Sequence, residues 1–324
     1  MDLIQIIRKP IEDEMNRYTE VFDSYMVHSN LLLDEVLKRM SKRKGKMMRP
    51  ILSLLTARLL GETNVKSIYT AATVEFFHTA SLVHDDIVDE SESRRGQESV
   101  NFSYGNKIAV LIGDFILANS LLCAVKTENI RLVEIISLAA QNLADGELLQ
   151  LDNVRNTEIS EEVYYDIIRN KTAALFAACA EGGAISVNAS EEDVQTLKQF
   201  GETVGMCFQI RDDIFDYEKD YRTGKPSGND MKEGKLTLPL IHTLFKMKDE
   251  EMFAIAYKIK EGTVSEEEVR TIVEFTKNNG GIDYAYVVMN EYATKAKSLL
   301  SNFPDSDVKN ALFAYVDYAI NRYS

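Results

Sequence analysis

Proline placement is the tightest constraint on this chain. Its 324 residues hold 5 prolines, at positions 10, 50, 226, 239 and 304, with none between Pro50 and Pro226. A proline inside a helix removes a backbone hydrogen bond and clashes with the preceding turn, at about 3 kcal/mol or more. A proline-free run rich in Ala, Leu, Glu and Ile therefore suits a stack of long helices. Helical periodicity recurs through it. Asn64 caps a segment, 64–90, whose apolar face runs Val65, Ile68, Ala72, Phe76, Ala80, Val83, Ile87 at steps of three and four. Segment 108–125 is apolar nearly all round, as in a helix at the centre of a bundle. Asp114, Asn119 and Ser120 favour a buried core helix there over a membrane span. Further helical patterns cover 130–152, 160–186, 191–218, 236–260, 264–279, 282–302 and 306–322, and no strand-period segment stands out. The expectation is an all-α fold. The length permits two domains, but no linker divides the chain, so it reads as one helical domain, 1–324. The polar stretch 218–235, with three glycines and a proline, reads as a functional lid or insert.

Composition narrows the function. Apolar residues make up 45% and charged residues 27%, which excludes wholesale disorder. With 37 Lys+Arg against 51 Asp+Glu the net charge is −14, which argues against a general nucleic-acid or anionic-membrane binder. Cys123, Cys179 and Cys207 are odd in number and widely spaced, as expected of reduced thiols in a cytoplasmic protein. The first residues show no leader pattern.

Two segments echo each other. Asp85, Asp86 and Asp89 form one DDxxD, and Asp212, Asp213 and Asp216 form another. In a helix the first and last aspartates, at i and i+4, share a face and repel. Both clusters close an apolar helix, where the macrodipole disfavours further negative charge. Such a conflict with local preference marks function. Oxygen-only ligands without Cys or His suit a hard ion, Mg²⁺ ahead of Zn²⁺. One DDxxD in an acidic protein is most simply a solvated face. Two copies, each followed by basic residues, are not.

The cations complement them. Residues 38–49 hold seven Lys/Arg and no acid, Arg94 and Arg95 follow the first cluster, and Lys219, Arg222, Lys225, Lys232 and Lys235 follow the second. By itself 38–49 reads as a solvated loop or a nucleic-acid patch. Beside two Mg²⁺-type clusters, the economical reading is two diphosphate sites, one bridged by metal and one gripped directly by Arg and Lys.

The motifs Gly45-Lys46-Met47-Met48-Arg49-Pro50, EFFHTASLVHDDIVDESESRRG, Gly146 to Asp152, Lys171-Thr172-Ala173, FQIRDDIFDY and Gly234 to Pro239, in this order, resemble the trans-isoprenyl diphosphate synthases. The resemblance spans about 45–240. It implies a helical bundle around a central cavity, of the class I isoprenoid synthase type. It further implies a prenyltransferase that joins isopentenyl diphosphate to an allylic diphosphate. Asp85, Asp86, Asp89 and Asp212, with Asp213 and Asp216 less directly, would hold about three Mg²⁺ ions on the allylic diphosphate. Arg94, Lys171, Lys225 and Lys235 would contact that diphosphate. Lys46, Arg49, His78 and Arg95 would bind isopentenyl diphosphate, and Thr172 and Gln209 would face the reacting carbons. His84 and Gly113-Asp114 read as structural. After RRG the family usually has x-Pro-Thr, whereas this chain has Gln97-Glu98-Ser99, which bears on the turn after Arg95.

Chain length should depend on which side chains block the tunnel leading back from Asp85. Ala80 and Ser81, about one turn away, are small where short-chain relatives carry an aromatic. Phe77 and Phe76, deeper, form either a floor or ordinary core. The expectation is an all-trans product of C20 or longer, with geranylgeranyl diphosphate favoured. The alternatives are a C30–C40 synthase, a C15 synthase, a silent subunit of a heteromeric synthase, and a terpene cyclase or head-to-head condensing enzyme. The family also implies a homodimer.

Overall fold

The computed structural model describes residues 3–42, 45–94, 96–155, 158–218 and 228–322. In chain order the helices are α1 (Leu3–Arg8), α2 (Glu12–Tyr25), α3 (Leu31–Ser41), α4 (Met48–Leu60), α5 (Val65–Val88), α6 (Val100–Tyr104), α7 (Asn106–Lys126), α8 (Ile130–Arg155) and α9 (Glu161–Ile168). A π-type turn, Arg169–Ala173, leads into α10 (Ala174–Ser186) and α11 (Glu191–Tyr217). Then come α12 (Asn229–Lys232), α13 (Leu238–Met247), α14 (Glu250–Lys260), α15 (Glu266–Asn278), α16 (Gly281–Leu299) and α17 (Asp307–Asn321). Among the described residues the only strands are two residues each, β1 (Ser93–Arg94) and β2 (Gln97–Glu98), paired antiparallel. Strands that short carry no detectable alternation, which is why periodicity missed them. The all-α expectation holds.

Backbone contacts group the residues into two compact units. The first comprises residues 1–138, 178–198 and 303–315, and the second 139–177, 199–302 and 316–324.

In the first unit α5 is the spine, packed along α7, α4 and α2. It starts where the sequence says it should. The Asn64 side chain accepts from Lys66 N–H, and a reciprocal bond with Ser67 completes a capping box. Phe76 is fully buried and stacks on Phe22 of α2, ring centroids 4.4 Å apart. Burial of such a ring contributes about 1.5–3 kcal/mol. On α7, Ala109, Ile112, Ile116 and Cys123 are buried, whereas Val110, Leu111, Leu121, Leu122 and Val125 are exposed. The expectation of a helix covered all round is thus corrected, since only one face of α7 is covered within the chain. It is also the one described helix long and apolar enough to cross a membrane. Asp114 lies on the exposed face and reaches His84 Nε2 at 3.5 Å, while a Cβ on Gly113 would displace the His84 ring.

In the second unit Leu240 and Leu244 of α13 join Ile255 and Ile259 of α14 and Ile272 of α15 in a buried cluster. The expected single helix over 236–260 is broken. Lys248 adopts a left-handed φ of 54° and closes α13, and Asp249 caps α14 through Glu251 and Met252 N–H. Of the expected lid, residues 219–227, and with them Lys219, Arg222 and Lys225, lie outside the described residues. The remainder is not all loop. Residues 229–232 form α12, with Met231 buried in the same cluster.

Candidate active site: two acidic helix ends and their counter-ions

Each unit carries one aspartate cluster at a helix end. In the first, Asp89 caps α5 and is exposed, Asp85 is half-buried, and Asp86 is only 4% exposed. Asp86 Oδ1 accepts from Arg94 Nε at 2.6 Å. Burial raises the Asp86 carboxyl above its ordinary value, and the Arg94 charge opposes that rise. Arg94 reaches it from β1, one arm of the short hairpin. That hairpin is fixed by Ser99, whose hydroxyl donates to Ser91 O at 2.6 Å and whose Oγ accepts from Phe102 N–H to cap α6. The unusual Gln97-Glu98-Ser99 therefore still builds an ordered turn, pairing Ser93 with Glu98 and Arg94 with Gln97. Arg95 itself lies outside the described residues.

A cavity of about 130 Å³ opens beside this helix, lined by Gly45, Glu75, His78, Asp86 and Arg94 among others. It gathers parts of two motifs separated in sequence, Gly45–Pro50 and the stretch 75–96. Glu75, His78, Thr79, Val83 and Asp86 fall at steps of three and four, so one face of α5 forms its wall. Arg49 Nη1 lies 3.0 Å from His78 Nε2. The strand of chain entering α4 is strained. Met47 has φ 57°, a left-handed conformation that non-glycine residues adopt at a cost of about 1–3 kcal/mol. It turns Met47 inward, where its sulfur accepts from the Tyr18 hydroxyl at 3.6 Å, and leaves Lys46 exposed. Phe77 is buried, as is Ala80, and Ser81 is half-buried with its hydroxyl on His78 O.

The second cluster divides its three aspartates among three tasks. Asp212 is the outward one, its side chain 41% exposed and bonded at 2.5 Å to Arg322 near the C-terminus. The Arg322 guanidinium also lies 3.6 Å from the Phe208 ring centroid. Asp213 is buried and accepts from the Tyr164 hydroxyl at 2.6 Å and from Gln209 Nε2 at 2.8 Å. Burial lifts its carboxyl well above the usual range, with the Asp230 charge adding to the rise. Asp216 accepts from Asn229 and Asp230 N–H, at 2.8 and 3.2 Å, and so holds the start of α12.

Lys171 and Thr172 sit in the π-type turn, a device frequent at functional sites. Two glycines let neighbouring helices close on that turn. A Cβ on Gly146 would meet Lys171 N at 2.8 Å, and one on Gly205 would meet Ala173 Cα at 2.5 Å. Lys171 Nζ pairs with Glu147 at 2.6 Å, and the Thr172 hydroxyl donates to Gln209 Oε1 at 2.7 Å. Lys235 Nζ pairs with Glu233 at 2.6 Å. The sequence reading missed Tyr164 and quoted Glu147 and Glu75 within motifs without giving either a role. The first two signal their places only through spacing to Lys171 and Gly146, and Glu75 only by sharing the His78 face.

Among the described residues no three His, Cys, Asp or Glu side chains converge as a metal cage. The donors nonetheless fit Mg²⁺, which is held by one or two carboxylates together with substrate phosphates. Asp85 with Asp89 on one helix face, and Asp212 at the end of α11, supply such carboxylates.

Comparison with known proteins decides the family. Residues 30–276 match the family model described as polyprenyl synthetase. The chain belongs to the polyprenyl synthetase family. This polyprenyl synthetase is 36% identical over 324 residues to an all-trans-nonaprenyl-diphosphate synthase (geranyl-diphosphate specific) of Rhodobacter capsulatus, covering 99% of each chain. Among solved structures it is 47% identical to a geranylgeranyl pyrophosphate synthase of Bacteroides thetaiotaomicron, with a TM-score of 0.88 and coverage of 99% and 100%. It is 32% identical, with a TM-score of 0.93, to a polyprenyl synthase of Caulobacter crescentus complexed with calcium and isoprenyl diphosphate, covering 99% and 98%. The synthetase is therefore a trans-prenyltransferase of the all-α isoprenoid synthase fold, and its substrates are isoprenoid diphosphates.

Proposed function

We propose that the protein condenses isopentenyl diphosphate with an allylic diphosphate, head to tail, to give an all-trans prenyl diphosphate of at least C20. The observation that carries this reading is the α5 cavity, where His78, paired with Arg49 of α4, stands on the same helix face as Asp86 of the DDxxD. A cyclase needs no second diphosphate site, and a silent subunit needs neither aspartate cluster. The nonaprenyl relative extends the range beyond the C20 favoured by the sequence and supports the long-chain alternative. Small residues at Ala80 and Ser81 suit either length.

Asp85, Asp89 and Asp212 would hold Mg²⁺, which when bound neutralises charge developing on the leaving diphosphate. Arg94, Lys171, Lys225 and Lys235 add fixed positive charge to that diphosphate, and Lys46, Arg49, His78 and Arg95 hold isopentenyl diphosphate. In the structure Arg94 is paired with Asp86, Lys171 with Glu147 and Lys235 with Glu233. Substrate binding then exchanges internal ion pairs for diphosphate contacts instead of desolvating bare cations. The Thr172 and Gln209 oxygens point negative dipole ends at the allylic cation. The leaving diphosphate takes the final proton, so no further general base is required.

The reading keeps 1–324 as one domain, supported by a family match that spans both compact units. It also makes the protein a cytoplasmic homodimer, the uncovered apolar face of α7 serving as the interface. The test is product sizing. Purified protein, Mg²⁺ and labelled isopentenyl diphosphate are combined with geranyl or farnesyl diphosphate, and dephosphorylated products are separated by chromatography. Products of C20 or longer are expected. A stop at C15 overturns the length, and no elongation overturns the function.

A further inference from the structure

We infer that Tyr164 and Asp213 are positioning residues that orient Gln209 and, through it, Thr172, and that Asp213 ligates no metal. This inference rests on the prenyl transfer proposed above. Four side chains from α9, the π-type turn and α11 form a single file. The Tyr164 hydroxyl donates to Asp213 Oδ2 at 2.6 Å, Gln209 Nε2 donates to Asp213 Oδ1 at 2.8 Å, and the Thr172 hydroxyl donates to Gln209 Oε1 at 2.7 Å.

Chemistry gives the file a direction. Both Asp213 oxygens accept in this file, and that fixes the amide nitrogen of Gln209 on the Asp213 side and the amide oxygen on the side of Thr172. Thr172 has one hydroxyl proton, and Gln209 takes it. The hydroxyl oxygen then keeps its lone pairs, and both oxygens present their negative ends. Without Asp213 the amide could sit either way round, and half of its orientations would aim N–H groups at a carbocation. Tyr164 anchors the other end: it engages Oδ2, so the carboxylate cannot swing away from Gln209. Tyr164 is 5% exposed and Asp213 4%. A buried carboxylate with both oxygens already accepting has little left to offer an ion, whereas the side chain of its neighbour Asp212 is 41% exposed.

The test uses the full-length enzyme with isopentenyl and farnesyl diphosphates. Four quantities are read: kcat, KM for isopentenyl diphosphate, the half-saturating Mg²⁺ concentration, and the ratio of farnesol to elongated product. Tyr164→Phe should lower kcat about tenfold and raise the farnesol share, with KM and the Mg²⁺ requirement within about twofold of wild type. Asp213→Asn lets an N–H face Gln209 and so releases its amide to flip, with a loss at least as large and the same Mg²⁺ requirement. Adding Gln209→Glu restores an oxygen facing Thr172 and returns the displaced charge, so Asp213→Asn/Gln209→Glu should recover about tenfold over Asp213→Asn alone. That pair keeps the test open if Tyr164→Phe fails to fold. Tyr164→Phe within twofold of wild type in kcat, no recovery in the double variant, or an Asp213→Asn enzyme needing about tenfold more Mg²⁺ each overturns the inference. A wild-type protein that forms no prenyl product overturns the proposed function, and this inference with it.

Discussion

The substitution Gly205→Ala sets two effects of opposite sign against each other. Gly205 lies inside α11, where replacing glycine by alanine ordinarily stabilises a helix by about 1 kcal/mol. Its added methyl would lie 2.5 Å from Ala173 Cα, 3.0 Å from Ala173 Cβ and 3.1 Å from Phe176 Cβ. The nearest of these is backbone, so no rotamer change relieves the overlap. Overpacking costs about 1–3 kcal/mol, and a main-chain clash belongs at the upper end. The net loss is then about 2 kcal/mol. For a chain of this size that lowers the thermal midpoint by about 3 °C, followed by circular dichroism. The turn that must yield carries Lys171 and Thr172, so turnover should fall further than stability alone explains. Gly61→Ala is the control. Its methyl would meet only Val187 Cβ at 3.9 Å, and the midpoint should stay within about 2 °C. An unchanged or higher midpoint for Gly205→Ala would refute the close approach and show that helix propensity wins.

Three further outcomes are expected. Ala80→Tyr should shorten the main product by at least one C5 unit in the sizing assay, and an unchanged product would remove Ala80 from the tunnel. Arg322→Ala strips Asp212 of its competing cation. A half-exposed pair of this kind is worth up to about 1 kcal/mol, so the half-saturating Mg²⁺ concentration should fall up to about fivefold. A higher requirement would show that Arg322 supports the ion and does not compete with it. The bidentate bond from Arg131 to Glu191, at 2.5 and 2.7 Å, with a second bond from Gln195, lowers that carboxyl from 4.5 to about 2. A depressed carboxylate stabilises above its unfolded value and loses that contribution as pH falls through the folded one. The midpoint deficit of Glu191→Gln should therefore be constant from pH 7 to about 5 and vanish near pH 2. A deficit that persists at pH 2 would contradict the pairing.

Much of the fold is legible in the residues alone. Asn64 announces α5 because an N-cap acts locally, and the aspartate clusters stand out because they break local rules. The fate of each aspartate is not legible. Asp212 and Asp213 are adjacent in sequence, yet a helix turns them about 100° apart, one toward Arg322 and the other toward Tyr164. Partners 110 and 49 residues distant decide what each carboxylate faces. The exposed face of α7 is hidden for the same reason: periodicity reports apolar character, and its covering depends on tertiary packing. The break at Lys248 needs a left-handed residue without glycine, which composition does not signal.

The turn at Arg169–Ala173 has a consequence for how the chain tolerates change in length. Its closing bond runs from Ala174 N–H to Arg169 O, five residues back instead of four. Deleting one residue there would let a plain α-helix run on from Glu161 through Ser186, with every main-chain hydrogen bond made. Everything before the deletion would rotate by about 100° and slide by about 1.5 Å relative to α10. Tyr164 would then face away from Asp213. The register between phenol and carboxylate would be lost, and Ile167 and Ile168, both buried, would turn with it. In this stretch the number of residues sets which side chains meet, as strictly as their identity does.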